Sequence, residues 1–196
     1  MLKFLTALPQ PVNVPKAVLS FRRRPRVLFL GHAGHGKDFV TKAFCNTVEA
    51  PYVSTSMRLA DLVPDVKDYD NWCRLKETAE GRAYLHRAVR AFNTPRHKAA
   101  QLTLAVDGYY IGMRDTEEFE ACVQADLFDV IVIVDRPGFA DEPETSNPLG
   151  KHYRELETGW FKGCRLTARV HVMRNFDNPN RWHAEFAQML AVVYGI

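Results

Sequence analysis

The sequence predicts an α/β domain of three layers, in which helices cover both faces of a central parallel sheet of about five strands. Two short, continuous apolar runs, VLFL at 27–30 and VIVIV at 130–134, are typical of strands buried on both faces. Around them lie segments in which apolar residues recur with the period of a helix. Because strands and helices alternate along the chain, we expect parallel strands joined by crossover helices.

The remaining elements follow in chain order. Gly81 weakens the continuity of the longest predicted helix, whereas Asn178 can cap the last helix, with Pro179 at its first position. Further strands are predicted in PYVS (51–54), QLTLAVDGYYIG (101–112) and ARVHVM (168–173). Helices are predicted after Lys37, in MRLADLV (57–63), NWCRLKETAEGRAYLHRAVRAF (71–92), DTEEFEACVQA (115–125) and NPNRWHAEFAQMLAVV (178–193).

Two segments have no regular period. Residues 1–25 contain four prolines and the basic run FRRRPR begins there, so we predict an extended or poorly ordered N-terminal arm, followed by a folded domain at 26–196. Residues 136–164 are rich in Gly, Pro, Glu and Ser and predict a long mobile loop. Loops of this length in compact domains are usually functional lids or disordered segments, and we interpret this one as a lid.

Composition excludes several classes of protein. The chain has 196 residues, of which 46% are hydrophobic and 25% are charged, as in an ordinary globular domain. Its four cysteines form no C-x-x-C pair, so neither a zinc knuckle nor a disulfide framework is predicted, and a reducing cytoplasm fits best. No apolar run has the length of a membrane span, and no membrane partner is expected. The sequence does not indicate an oligomeric state.

The segment between the first strand and the first helix has the spacing G-x-x-x-x-G-K. In this motif backbone N–H groups surround phosphates, and the lysine reaches the terminal phosphates. A nucleotide is therefore expected to bind here, and His32 and His35 are expected to fill the loop or bond to phosphates rather than to act as bases. The residues expected to bind it are Gly31, His32, Ala33, Gly34, His35, Gly36, Lys37 and Asp38.

Two carboxylates are candidates for the magnesium site. Asp38 stands where the usual loop has Ser or Thr, and its oxygen suits a hard cation, but it equally fits a helix cap with the metal held elsewhere. Asp107 ends the apolar run LTLAV, which would place it at the carboxyl edge of a parallel strand. If GYYIGM continues that strand, Asp107 lies away from the edge, and both interpretations stay open.

The loop GHAGHGKDFVTKAF (31–44) resembles the G-K-D variant found in tailed-phage deoxynucleoside monophosphate kinases and in animal-type phosphomevalonate kinases. The resemblance to the phage kinases continues in YYIGMRDTEEFEA (109–121) and VIVIVDRPG (130–138). It implies a P-loop kinase fold, ATP and Mg²⁺ as cofactors, an R-x-x-x-E pattern at Arg114 and Glu118, and Arg136 at the start of the lid. The family's His-x-Ser-Glu stretch is replaced here by DEPETSNPL, and the region between the second and third strands is shorter.

Phosphoryl transfer requires in-line positioning and cancellation of charge, so cationic side chains are the expected contributors. We predict catalytic roles for Lys37, Arg114 and Arg136, and acceptor binding by Arg58 and Arg114. Weaker candidates are Arg82, Arg87 and Arg90.

Three functions fit these residues. The first is a kinase of deoxynucleoside monophosphates. The second is a kinase that phosphorylates the hydroxymethyl group of 5-hydroxymethyluracil in phage DNA; the basic arm and the clusters RAYLHRAVR and TPRHK favour it. The third is a non-enzymatic ATP-binding switch, which would not require arginines near a second pocket. The first is the simplest interpretation.

Overall fold

The computed structural model describes residues 24–63, 65–90, 108–144 and 146–196. The strands are β1 (Val27–Leu30), β2 (Tyr52–Ser54), β3 (Tyr109–Ile111), β4 (Val130–Asp135), β5 (Trp160–Phe161), β6 (Cys164–Arg165) and β7 (Arg169–Arg174). The helices are α1 (Lys37–Thr47), α2 (Thr55–Leu62), α3 (Tyr69–Glu77), α4 (Ala79–Arg90), α5 (Thr116–Gln124), α6 (Tyr153–Glu157) and α7 (Pro179–Tyr194).

The central sheet has five strands in the order β2-β3-β1-β4-β7, and every pair of neighbours is parallel. The predicted α/β class with a parallel sheet is therefore confirmed. β1 lies in the middle, with Val27 in register with Tyr109 on one side and with Val130 on the other. All five carboxyl ends consequently meet at one edge of the sheet.

The side chains of β1 explain the three layers. Successive residues of a strand point to opposite faces, so VLFL supplies two side chains to each side. Val27 and Phe29 join the cluster formed with α1 and α7, whereas Leu28 and Leu30 join the cluster formed with α5 and α6. All four are completely buried. Full burial of one such side chain stabilises the fold by about 1.5–3 kcal/mol.

The predicted long helix over 71–92 is divided into α3 and α4, and the break falls at Thr78 rather than at Gly81. Thr78 is extended, and its Oγ1 accepts a hydrogen bond of 3.0 Å from the N–H of Gly81, so it caps α4. Gly81 itself lies within α4, where a Cβ would collide with the backbone oxygen of Leu75 on α3. The glycine thus permits close packing of the two helices.

Residues 136–164 contain more regular structure than the prediction of a mobile loop implied. A 3₁₀ turn at Gly150–His152 leads into α6, and β5 and β6 form a two-stranded antiparallel hairpin. These elements span five residues or fewer, which is too short for a helical or strand period to show in the sequence. Residues 1–23 of the predicted arm lie outside the described residues. No helix in the described ranges is long and apolar enough to cross a membrane.

Candidate functional site

The carboxyl end of β1 lies at a switch point of the sheet topology. The chain leaves β1 toward β2 on one side and leaves β4 toward β7 on the other, so the two connections diverge between these neighbouring strands. In open α/β sheets, ligands bind at such a switch point. Residues 31–36 occupy it and lead directly into α1, and together with Lys37 we call them the phosphate loop.

Glycine is required at both ends of the phosphate loop. Gly31 and Gly36 have φ values of 149° and 85°. A Cβ on Gly31 would lie 2.6 Å from the backbone oxygen of Val134 on β4, and one on Gly36 would collide with the side-chain amide of Asn175. The loop is therefore held against the ends of β4 and β7, and its N–H groups lie at the start of α1, where the helix dipole favours an anion.

Lys37 and Asp38 begin α1. Lys37 is 7% exposed, and its Nζ lies 3.8 Å from Oδ2 of Asp38, whose side chain is 70% exposed. The N-cap of the helix is Gly36, so Asp38 is the second helical residue and acts on the helix through its charge in the first turn. An exposed carboxylate beside a phosphate site suits Mg²⁺, which usually takes one or two carboxylates together with substrate phosphates and water.

His32 joins the phosphate loop to residues 136–164, the segment that the sequence analysis interprets as a lid and that keeps this name below. Its Nδ1 accepts a hydrogen bond of 3.1 Å from the backbone N–H of Glu142, and its Nε2 lies 3.4 Å from Oδ1 of Asp141. Since Nδ1 accepts, the proton of the neutral ring lies on Nε2. Burial lowers the pKa of His32, which keeps the ring neutral at physiological pH. The residue therefore has a positioning role in this geometry.

His35 makes a second link of the same kind. It is 1% exposed; its Nδ1 accepts a hydrogen bond of 3.1 Å from the N–H of Arg136, and its Nε2 lies 3.3 Å from the backbone oxygen of Ala140. Asn175, which follows β7, donates a hydrogen bond of 2.8 Å to the backbone oxygen of His35. The loop is thus tied to the lid and to the end of β7.

A carboxylate from the lid lies on the phosphate loop. Oε2 of Glu142 accepts a hydrogen bond of 2.7 Å from the N–H of Ala33. Its other oxygen lies 3.1 Å from a guanidinium nitrogen of Arg114, a predicted catalytic residue. Asn147, which is 1% exposed, donates a longer hydrogen bond of 3.4 Å to Oε2. The structure therefore brings Arg114 to the loop through Glu142.

Arg136 is oriented differently. Its backbone contacts the loop at His35, but its guanidinium lies 3.9 Å from the ring centre of Phe139 and 2.7 Å from a carboxylate oxygen of Asp177. Asp177 follows β7, so this side chain points toward the β4–β7 side of the site. The three predicted catalytic residues consequently divide into Lys37 and Arg114 at the loop and Arg136 at its flank.

Arg58 lies on the opposite side, near the ends of β2 and β3. Tyr110 of β3 shares a hydrogen bond of 2.9 Å with Thr55 of α2. Burial raises the pKa of Tyr110, the charge of Glu118 raises it further, and the charge of Arg58 opposes this shift. Nε of Arg58 is buried and has no hydrogen-bond partner among the described residues. The Nε–H group of Arg58 is therefore available to donate a hydrogen bond in this region.

Lys76 was missed by the sequence analysis. It lies on α3, and its Nζ donates a hydrogen bond of 2.8 Å to Ser56 at the start of α2. Desolvation and the nearby charge of Arg114 lower its pKa, whereas Asp38 acts in the opposite direction. Lys76 is therefore within electrostatic range of both residues. No local pattern in the sequence marks Lys76, because only the fold brings α3 to this edge.

The second candidate metal ligand, Asp107, lies outside the described residues. β3 begins at Tyr109 and ends at Ile111, so the chain at its carboxyl edge is Gly112 to Arg114. Within the described ranges, no group of three or more His, Cys, Asp or Glu side chains has the arrangement of a metal site. Such a group is not required for an ion that is held mainly by phosphates and water.

No protein-family model matches the chain, and no curated protein matches it either. The α/β fold with its parallel sheet is what the structure establishes, and the resemblance to phage-type kinases stays a prediction.

Proposed function

We propose that this protein is an ATP-dependent phosphotransferase that transfers the γ-phosphate to a deoxynucleotide, most simply a deoxynucleoside monophosphate. The observation that carries the proposal is the position of the G-x-x-x-x-G-K loop, which leaves the central parallel strand at the switch point and opens α1 with Lys37. The backbone of this loop supplies anion-binding N–H groups, and Lys37 supplies a buried positive charge.

The side chains suggest how transfer would proceed. The acceptor oxygen attacks the γ-phosphorus in line with the leaving oxygen of the β-phosphate, and negative charge spreads over the transferred group. Lys37 and Arg114 act by neutralising that charge. Asp38 would hold Mg²⁺ directly or through water, and the ion would supply positive charge that offsets the charge of the phosphates. Arg136, whose side chain lies beside Phe139 on the β4–β7 side of the site, is suited to contact the bound ATP from that side.

A phosphorylated acceptor needs cations of its own. Arg114 and Lys76 approach the phosphate loop from the side of β2 and β3, and Arg58 lies by the same strands. The positive charge of Arg114 contributes to lowering the pKa of Lys76, and an anion between the two side chains would relieve this repulsion. This arrangement supports an acceptor that carries a phosphate, and Arg136 is left to the donor nucleotide on the other side.

A base within DNA is the second candidate acceptor. The side chain of Arg114 is 45% exposed, and Arg82 and Arg87 are exposed on α4, so the cations on this side are accessible to a large substrate. The basic run FRRRPR in the predicted arm supports the same candidate.

Transfer of labelled phosphate from ATP distinguishes these acceptors. The panel is the four deoxynucleoside monophosphates, duplex DNA containing 5-hydroxymethyluracil, and the same duplex with thymine as control. We expect label in at least one deoxynucleoside monophosphate. Label only in the 5-hydroxymethyluracil duplex would replace the first proposal by the second. ATP consumption that no acceptor changes, with label in none of them, would refute both and favour a non-enzymatic ATP-binding switch.

A further inference from the structure

Glu142 occupies a position that an incoming phosphate would need. Its carboxylate contacts a backbone N–H of the phosphate loop and the guanidinium of Arg114, at 2.7 Å and 3.1 Å. Backbone N–H groups and arginine are the donors that bind phosphate oxygens. The side chain of Glu142 is 11% exposed and that of Arg114 is 45% exposed, so the carboxylate is largely shielded from solvent while its partner is open to it.

Neighbouring residues of the same protein hold the carboxylate of Glu142 in this place. The backbone N–H of Glu142 is held by His32 of the same loop, and the side-chain amide of Asn147 reaches Oε2 at 3.4 Å. Asn147 in turn donates a hydrogen bond of 3.2 Å to the hydroxyl of Tyr153, which accepts another of 3.2 Å from the N–H of Gly31. The carboxylate is therefore the centre of a network that joins the lid to Arg114 and to the first three residues of the phosphate loop.

We propose that Glu142 is a built-in counter-anion of the phosphate loop: it holds the lid and Arg114 on the loop until a phosphate group of the nucleotide displaces it. The same donors cannot serve a carboxylate and a phosphate together, because both are anionic and both need the N–H of Ala33 and the charge of Arg114. Displacement frees Arg114 for the phosphates. Glu142 is thus a positioning residue for Arg114, and the inference rests on the nucleotide-binding part of the proposed function.

The effect of this competition on the apparent Kd of a ligand can be calculated. A ligand that binds only molecules with an open site has an apparent Kd equal to its intrinsic Kd divided by the open fraction. If Glu142 covers the loop in about 90% of molecules, removing the competition lowers the apparent Kd about tenfold. The same change removes a charge-assisted contact from the unliganded protein, so that protein should unfold at a lower temperature.

The test compares Glu142→Gln with the wild-type protein by calorimetric titration with inorganic pyrophosphate and with Mg²⁺-ATP, alongside thermal unfolding without ligand. We expect an affinity about tenfold higher for both ligands together with a lower unfolding temperature. Structural damage alone would lower both quantities, so their opposite change is the diagnostic result. Glu142→Asp, which keeps the charge but withdraws it from the loop, should show a smaller change in the same direction and serves if the first variant does not fold.

Glu144→Gln is the matched control. It removes the same charge from the same segment, but Glu144 is exposed and pairs with Lys151, so neither affinity nor stability should change appreciably. Unchanged or weaker ligand binding in the Glu142 variants would overturn the inference, and so would the absence of pyrophosphate and ATP binding in every variant. If binding follows the expectation but no acceptor is ever phosphorylated, the proposed function fails while the inference stands.

Discussion

Asp38 distinguishes this phosphate loop from the usual one, which has Ser or Thr after the lysine. The structure places its carboxylate at the exposed start of α1, 3.8 Å from Nζ of Lys37. The negative charge opposes bound phosphates unless a cation lies between them. Under the proposed function, a role in holding Mg²⁺ therefore accounts better for an acidic residue here than its favourable effect on the helix dipole alone.

Replacing Asp38 with Ser should change how the protein uses magnesium. We expect the Mg²⁺ concentration that gives half-maximal phosphate transfer to shift upward about tenfold, because a charged oxygen ligand or water-mediated partner is replaced by a neutral one. The measurement is a Mg²⁺ titration of the initial rate at fixed ATP. Asp61→Ser, on the exposed surface of α2, is the control. An unchanged titration for Asp38→Ser would leave this carboxylate only its interaction with the helix.

The residues of the site differ in how far sequence predicts them. The position of the phosphate loop between a strand and a helix could be predicted because the glycine spacing and the apolar runs on either side lie in consecutive residues. Glu142 could not, because its partner Ala33 is 109 positions away and the acidic run around it is typical of a solvated loop. The pairing depends on the lid packing against His32, which no local pattern reveals. Lys76 was missed for the same reason.

The boundary between α3 and α4 is explained by how the two helices pack and by how the second one is capped. Glycine within a helix usually lowers stability relative to alanine. At position 81, however, a Cβ would collide with the backbone of Leu75. The contact is with a carbonyl oxygen of another helix, so relief requires one helix to move. The sequence did contain a signal for the true boundary, since Thr78 precedes an acidic first turn as an N-cap does.

Replacing Gly81 with Ala should therefore destabilise the protein, although alanine is the better helix former. We expect a loss of about 1–3 kcal/mol in the free energy of unfolding, as for other insertions into close packing. Chemical denaturation measures it. Ala83→Gly, at an exposed position of the same helix, should cost about 1 kcal/mol through propensity alone. A more stable Gly81→Ala protein would contradict the packing of α3 against α4.

The strands and helices could be predicted to different degrees. β1 and β4 could be predicted because strands buried on both faces consist of unbroken apolar residues. α7 could be predicted because Asn178 and Pro179 mark its start. In the structure, the side chain of Asn178 accepts hydrogen bonds from backbone N–H groups of the first turn. β5 and β6 were missed because two residues cannot show an alternation. Whether Asp107 lies at the carboxyl edge of a strand could not be decided from the sequence, because apolar residues occur both before it, in LTLAV, and after it, in the strand Tyr109–Ile111.

Among the described residues, two hydrophobic clusters lie on opposite faces of the central sheet, and a third joins α2, α3 and α4. Cys45 belongs to the cluster of α1 and α7, and Cys122 to the cluster of α5 and α6. Burial raises the pKa of both thiols to about 12. Cys73 and Cys164, in contrast, are exposed.

Alkylation of the cysteines therefore reports on both faces together. At about pH 8.5 we expect iodoacetamide to modify Cys73 and Cys164 in the native protein and to spare Cys45 and Cys122, because a buried thiol with a raised pKa forms little thiolate. Mass spectrometry of peptides reads the result, and the protein unfolded in guanidinium, where all four should react, is the control. Rapid modification of either buried cysteine in the native state would contradict the packing on that face.

The central claim is that the phosphate loop at the end of β1 is the site of phosphoryl transfer. It is tested most directly by the initial rate of labelled-phosphate transfer from ATP in Lys37→Ala, with Lys42→Ala on the exposed side of α1 as control. We predict that Lys37→Ala loses a factor of about 10²–10³ or more through missing charge stabilisation, while Lys42→Ala keeps the wild-type rate. A near wild-type rate in a folded Lys37→Ala protein would contradict the account.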